Sequence, residues 1–147
     1  GYRRSIIIGA LLMAAGYLGM ALPGETAFYI ALLLIILGNG FFKPNISTLV
    51  GNLYNKPENQ HKKDAGYNIF YMGINIGAFV CNFVAAYMRI NYGWGYAFAA
   101  AGVGMLIGLT WFILGMKHVK DVDIIKPTTK EDLPLKKILA TVFIPVI

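Results

Sequence analysis

Charged residues are scarce in this chain of 147 residues, where they make up 14 % of the sequence against roughly 25 % in a soluble domain. A single cysteine, Cys81, excludes an internal disulfide, and with His61 and His118 it offers no metal-site spacing. None of the histidines, aspartates or glutamates falls inside a long apolar run. A membrane-embedded enzyme would need paired polar groups at matched depth, so we predict that the chain is not an enzyme.

Apolar residues are abundant instead, at 57 %, and seventeen glycines accompany them. A helix needs about 20 residues to cross the hydrocarbon core, and glycines allow membrane helices to pack closely. The sequence therefore predicts an all-α, multi-pass integral membrane protein whose surroundings are the lipid bilayer. Its spans are predicted at about residues 5–22, 26–54, 66–88 and 94–116, with a further helix starting at 138–147.

Basic residues sit in short loops between the apolar runs, which predicts membrane orientation rather than binding to nucleic acid. All lysines and arginines except Lys43 and Arg89 fall in flanks that lie on one side of the predicted spans. An excess of Lys and Arg marks the cytoplasmic side. We therefore expect the N-terminal flank and the polar segment 117–137 to be cytoplasmic. That segment is predicted to be a solvated connector; an amphipathic helix lying on anionic lipid is the alternative.

Lys43 lies inside the second apolar run, where an ammonium near the bilayer centre costs roughly 2.5–3.5 kcal/mol. It is about 16 Å from the expected cytoplasmic end at Tyr54, at 1.5 Å per residue. Either the helix extends into the cytoplasm and Lys43 reaches the interface, or Lys43 faces a wet central cavity. Pro44 favours the cavity, because it leaves the Gly40 carbonyl without its helical N–H partner. Gly38, Gly40 and Pro44 are the predicted bending or gating residues.

Asn75 is predicted to lie at a similar depth on the adjacent, antiparallel span, about 14 Å from the same membrane face. Asn68 and Asn82 flank it at seven-residue spacing, and for these two we expect interhelical hydrogen bonds. Tyr71 comes one turn before Asn75. It could line the same cavity, or it could be a packing residue.

Two elements of the sequence resemble a family signature. Gly38-Asn39-Gly40-Phe41-Phe42-Lys43-Pro44-Asn45-Ile46-Ser47 resembles a G-x-G-x-x-K-P-x-x-S element, and Phe70-Tyr71-Met72-Gly73-Ile74-Asn75-Ile76-Gly77 resembles F-Y-x-x-I-N-x-G. Together they are similar to the signature of the proton-dependent oligopeptide transporter (POT, or PTR) family. Gly1-Tyr2-Arg3-Arg4 resembles the tail of the D-R-x-x-G-x-R-R loop motif of the major facilitator superfamily, to which that family belongs.

The resemblance implies a fragment of a twelve-helix transporter that covers helices three to six and the start of helix seven. Residues 1–116 would belong to the N-terminal bundle and 117–137 to the cytoplasmic linker between bundles. We therefore expect an internal piece of a longer protein; a complete small four-helix protein is the alternative.

The function implied is proton-coupled symport of di- and tripeptides across a prokaryotic inner membrane, with no cofactor beyond the proton gradient. The partners implied are small peptides, protons and the remaining helices of the parent transporter. Lys43 would attract the peptide carboxylate or pair with a glutamate on the first helix, Asn75 would hydrogen-bond the peptide backbone, and Tyr71 is a candidate for the same site. A major facilitator transporter of a non-peptide solute and a small structural membrane subunit are the alternatives.

Overall fold

The computed structural model describes residues 1–123, and these residues form a bundle of long helices. The helices are α1 (Tyr2–Met20), α2 (Glu25–Leu53), α3 (Lys63–Tyr92) and α4 (Trp94–Gly115), with short 3-10 segments at Gln60–Lys62 and Met116–Val122. Each long helix is sufficiently long and apolar to cross a membrane. The prediction of an all-α membrane protein is confirmed. Residues 124–137 of the predicted linker and the predicted helix start at 138–147 lie outside the described residues.

Glycines in the left-handed region form two of the turns between helices. Gly24 precedes α2 with φ of 122°, and Gly93 joins α3 to α4 with φ of 100°. Glycine adopts these angles without a steric penalty, whereas most other residues do not. At the second turn the guanidinium carbon of Arg89 lies 4.4 Å from the ring centroid of Trp94. This contact is a cation–π interaction, and it joins the end of α3 to the start of α4.

Small residues bring α1 and α2 into close backbone contact. A Cβ built on Gly9 would lie 2.7 Å from the Gly38 carbonyl oxygen, and one built on Gly38 would lie 2.7 Å from the Gly9 carbonyl oxygen. Farther along α1, a Cβ on Gly16 would lie 2.7 Å from the Ala31 carbonyl oxygen. Glycines allow this approach because they have no side chain to keep the backbones apart. The contact fixes which side of α2 faces α1.

The ends of α1 and α2 at Ile6 and Leu49, which we call the cytoplasmic end because the Lys and Arg count predicts that side, are closed by the segment that follows α4. Val122, at the end of the Met116–Val122 segment, is buried against Ile6 of α1 and Leu49 of α2. The Asn52 side-chain amide also donates a hydrogen bond to the Val122 carbonyl oxygen at 3.4 Å. In the described part of the predicted linker, Val119 and Val122 pack against the ends of α1 and α2. Four other residues there are exposed, namely Lys117, His118, Lys120 and Asp121, and the role of 117–137 as a linker between bundles stays a prediction.

Asp123 caps the first turn of α1. Its Oδ1 accepts the backbone N–H of Arg3 at 3.1 Å, and its Oδ2 accepts the Arg3 Nε–H at 2.9 Å. The carboxylate thus satisfies an N–H that has no partner within the helix and places negative charge at the positive end of the helix dipole. Burial acts to raise the pKa of Asp123, but the hydrogen bonds and the charge of Arg3 outweigh it and lower that pKa below its usual value.

Candidate functional site

Lys43 lies in the middle of a continuous helix, since α2 runs through Pro44 without interruption. The side chains of Lys43 and Pro44 are exposed in the described part of the chain. Pro44 has no N–H, so the Gly40 carbonyl receives no ladder hydrogen bond from residue 44. Gly40 is exposed, whereas Gly38 is buried against α1. The bending role that we predict for Gly38, Gly40 and Pro44 stays a prediction.

Three polar side chains after Pro44 hydrogen-bond to carbonyl groups of their own helix. Asn45 Nδ2 donates to the Phe41 carbonyl at 2.6 Å, Ser47 Oγ to that of Lys43 at 3.1 Å, and Thr48 Oγ1 to that of Pro44 at 2.8 Å. Each bond spans four residues, so each side chain is satisfied one turn back along α2. Asn45 and Ser47 belong to the signature motif and Thr48 follows it directly, but the sequence did not reveal these bonds.

The Lys43 ammonium has no acidic partner among residues 1–123. Within these residues the ion pair is formed by Arg3 and Asp123, at the cytoplasmic end. A lysine at membrane depth is costly unless it meets a carboxylate, a carbonyl or water. Within the described residues, then, Lys43 presents an uncompensated positive charge on an exposed face of α2.

Asn75 lies on the side of α3 that is roughly opposite Gly77 and Val80. The opposite side of α3 contributes Gly77, Val80 and Cys81 to a cavity of about 450 Å³ shared with α1 and α4. Asn75 is two residues from Gly77 and therefore about 160° from it around the helix axis. Its Nδ2 donates to the Tyr71 carbonyl at 3.0 Å, which leaves the carboxamide oxygen available. Both side chains are exposed.

Two tyrosine–glycine contacts set the register between α2 and α3. The Tyr67 hydroxyl donates to the Ser47 carbonyl at 3.2 Å and lies over Gly51, where a Cβ would be 2.5 Å from it. In the reciprocal contact, the Tyr54 ring packs on Gly66. These contacts hold the cytoplasmic ends of the two helices together and determine which residues lie at equal depth.

Lys43 and Asn75 lie at matching depth in this register. Counting eight residues from Gly51 along α2 reaches Lys43, and counting eight from Tyr67 along α3 reaches Asn75. Each count corresponds to about 12 Å along the helix axis. Because the Tyr67 hydroxyl reaches both Gly51 and Ser47, the count fixes the two depths as similar to within about one helical turn. No hydrogen bond joins the Lys43 and Asn75 side chains within residues 1–123. Their binding roles, and that of Tyr71, stay predictions.

The chemistry available at this level is anion binding by Lys43 and hydrogen bonding by the Asn75 carboxamide. Among residues 1–123, no group of three or more His, Cys, Asp or Glu side chains is arranged to hold a metal ion. An ammonium and a carboxamide at similar depth on neighbouring helices suit a ligand that carries both a carboxylate and peptide groups.

Comparisons with known proteins agree on one family. Residues 3–143 match the POT family. A peptide transporter of Yersinia enterocolitica is 40 % identical over 115 residues, which are 76 % of this chain and 22 % of the relative. A di-/tripeptide transporter of Lactococcus lactis is 35 % identical over 124 residues, which are 83 % of this chain and 24 % of the relative. The chain thus spans about a quarter of the length of these relatives.

Solved structures of POT transporters share the fold. A peptide transporter in complex with sulfate superposes with a TM-score of 0.77 at 34 % identity, over 97 % of this chain and 28 % of that one. Another, in complex with a thioalcohol-conjugated peptide, gives a TM-score of 0.74 at 33 % identity, over 97 % of this chain and 29 % of that one. The chain is therefore a multi-pass membrane protein that belongs to the POT family.

Proposed function

We propose that the full-length protein carries di- and tripeptides across the membrane by symport with protons. The observation that carries this proposal is the exposed Lys43, which has no acidic partner among residues 1–123 and lies level with Asn75. The names of the relatives from Yersinia and Lactococcus support peptides as the substrate class. The proposal concerns the whole transporter, because this chain supplies about a quarter of the length of such proteins.

In the proposed mechanism, Lys43 binds the terminal carboxylate of the peptide or a carboxylate of another helix. The attraction is strong where water is scarce, since two unit charges at 4 Å gain about 4 kcal/mol at an effective dielectric constant of 20. Asn75 hydrogen-bonds the peptide backbone through its remaining carboxamide oxygen and Nδ2–H, and Tyr71 lines the same face one turn away. Gly40 and Pro44 allow α2 to bend as the site opens to either side.

The driving force in this proposal is the proton gradient across a prokaryotic inner membrane, and no cofactor takes part. The family to which the chain belongs supports proton coupling, because proton dependence defines that family. Lys43 contributes by exchanging one carboxylate partner for another. A carboxylate of the protein that leaves Lys43 when the peptide arrives becomes easier to protonate, since the ammonium no longer stabilises its charged form.

Uptake into vesicles tests this function. The full-length protein is reconstituted into liposomes, a pH gradient is imposed, and accumulation of a labelled dipeptide is measured. We expect accumulation that an uncoupler abolishes and that unlabelled tripeptide inhibits. Accumulation that survives the uncoupler would contradict proton coupling. If no peptide tested accumulates or competes, peptide transport is contradicted, and transport of a non-peptide solute becomes the alternative.

A further inference from the structure

Asn39 is an exposed polar residue in the apolar half of α2, one turn before Lys43. No other side chain between Tyr29 and Lys43 can form a conventional hydrogen bond. A carboxamide left without a partner in an apolar environment costs about 1–3 kcal/mol. The family resemblance and the fold assign no role to this residue, so its chemistry needs a separate explanation.

Three other asparagines in these helices satisfy their amide groups locally, but Asn39, like Asn68 and Asn82 of α3, forms no such bond among residues 1–123. Asn45, Asn75 and Asn91 each donate from Nδ2 to the carbonyl four residues earlier, at 2.6, 3.0 and 2.9 Å. The equivalent acceptor for Asn39 would be the Ile35 carbonyl, yet no such bond forms, and none joins Asn39 to another residue within 1–123. Its amide N–H groups are therefore available to a partner outside this stretch of chain.

Asn39 and Lys43 point to the same side of α2. Residues four apart differ by about 40° around the helix axis and about 6 Å along it. The packing of neighbouring Gly38 against Gly9 fixes the rotation of α2 and leaves both side chains exposed. Gly40, between them, adds no bulk, because even a Cβ there would meet no atom within 4 Å. A small anionic group can approach both side chains at once.

We propose that Asn39 is a second binding residue for the carboxylate that Lys43 attracts. The Asn39 Nδ2–H donates to one carboxylate oxygen while the Lys43 ammonium binds the other, so the carboxylate is held at two points. This inference rests on the proposed function, because it takes the peptide carboxylate as the ligand. A hydrogen bond from Asn39 to a helix outside this stretch is the competing explanation.

The test compares two ligands that differ in the carboxylate alone. A dipeptide and its C-terminal amide each compete for uptake of labelled dipeptide by the full-length wild type and the Asn39→Ala variant. We expect Asn39→Ala to weaken competition by the free dipeptide on the order of tenfold, as for loss of one charge-assisted hydrogen bond. Competition by the amide should change less than threefold. If Asn39 has only a structural role, Asn39→Ala should weaken competition by both ligands by the same factor.

A second variant and a control complete the experiment. Asn39→Asp keeps the size of the side chain but places a carboxylate beside Lys43. It should therefore weaken competition by the free dipeptide more than Asn39→Ala does. Asn82→Ala, which changes an exposed asparagine of α3, should leave the ratio between the two ligands unchanged.

Equal effects on both ligands, or no effect on either, would overturn the role of Asn39 while peptide transport stands. Absence of peptide uptake by the wild type would overturn the proposed function, and the role of Asn39 with it.

Discussion

The cytoplasmic end of this bundle and its mid-membrane faces satisfy their polar groups in opposite ways. At the cytoplasmic end, Asp123 pairs with Arg3, Asn52 binds the Val122 carbonyl, and Tyr67 binds the Ser47 carbonyl. Near the middle of α2, Lys43 and Asn39 have no such partner among residues 1–123. Polar side chains at membrane depth are costly unless they meet a partner or water, so the second region is suited to partners from outside this stretch of chain.

This difference separates residues that hold the helices together from residues whose polar groups are available to a ligand or another helix. Changes at the cytoplasmic end should lower the free energy of unfolding and leave the binding of peptide intact. Changes to the exposed polar side chains at mid-membrane depth should leave the free energy of unfolding intact and weaken the binding of peptide. Each prediction below tests one side of that division in the full-length protein, with a matched control from the same region or helix.

Removal of the Lys43 ammonium should have the largest effect. Breaking one partner of a desolvated ion pair costs about 3–5 kcal/mol, so Lys43→Ala should reduce gradient-driven dipeptide uptake about 100-fold or more. Lys56→Ala, in the exposed loop after α2, is the control. Full uptake by Lys43→Ala would show that Lys43 is not a binding residue for the peptide.

A side chain at Gly38 should disrupt the α1–α2 contact. In Gly38→Ala the new methyl group would lie 2.7 Å from the Gly9 carbonyl oxygen and 2.8 Å from the Met13 nitrogen. Backbone atoms cannot rotate away, so we expect a loss of about 1–3 kcal/mol in the free energy of unfolding. Chemical unfolding in detergent measures this loss. An unchanged unfolding midpoint would show that α1 and α2 can move apart to accommodate the methyl group with no loss of stability.

Gly40→Ala is the matched control for Gly38 on the same helix, because a Cβ there meets no atom within 4 Å. It should leave stability unchanged or raise it slightly, since alanine favours helix more than glycine does. The same variant tests the predicted bending role. Reduced transport with unchanged stability would support bending at Gly40, and unchanged transport would contradict it.

Loss of the cap on α1 should have a moderate effect. Asp123→Ala removes two hydrogen bonds and a favourable charge at the helix N-terminus, and we expect a loss of about 1–2 kcal/mol in stability at neutral pH. Because folding lowers the pKa of Asp123 from 3.8, its contribution is complete above that value and is lost as pH falls through the lowered pKa.

Unfolding measured at neutral and acidic pH checks this prediction. The difference between Asp123→Ala and the wild type should shrink in acid, while Asp121→Ala, which changes an exposed neighbour, should match the wild type at both pH values. A difference between Asp123→Ala and the wild type that does not vary with pH would show that the charge of Asp123 is unimportant.

The smallest effect should come from the Tyr67 hydroxyl. Tyr67→Phe removes the 3.2 Å hydrogen bond to Ser47 and keeps the ring over Gly51, so stability should fall by about 1 kcal/mol or less. Tyr71→Phe is the control for stability, because the Tyr71 hydroxyl forms no hydrogen bond within residues 1–123. It should alter transport alone if Tyr71 lines the site. Equal stability losses in both variants would contradict the assignment of Tyr67 to helix packing.

The sequence alone was sufficient for the helices because hydropathy over about 20 residues is a strong, local signal. It also identified Lys43, because a charge inside an apolar run stands out without any knowledge of its neighbours. Gly38 shows the limit of such reasoning. A glycine can serve bending or close packing, and the sequence cannot show that Gly38 lies against Gly9.

Contacts between distant residues were not predictable for a different reason. Arg3 and Asp123 are 120 residues apart, and no local pattern marks them as partners. The contact of Tyr67 with Gly51 likewise depends on how α2 and α3 pack. In both cases the geometry of the folded bundle determines which residues pair, whereas the sequence shows only which residues are able to pair.

The cap on α1 links the order of synthesis to the completion of the fold. The first turn of α1 obtains its carboxylate from a residue made 120 positions later, or about 6–24 s at ordinary translation rates. Until Asp123 emerges, that turn lacks the partner it has in the finished bundle, and the ends of α1 and α2 lack Val122. The four helices therefore become one closed unit only when the last of them has been made, so a half-made bundle keeps its cytoplasmic end open for assembly with other helices.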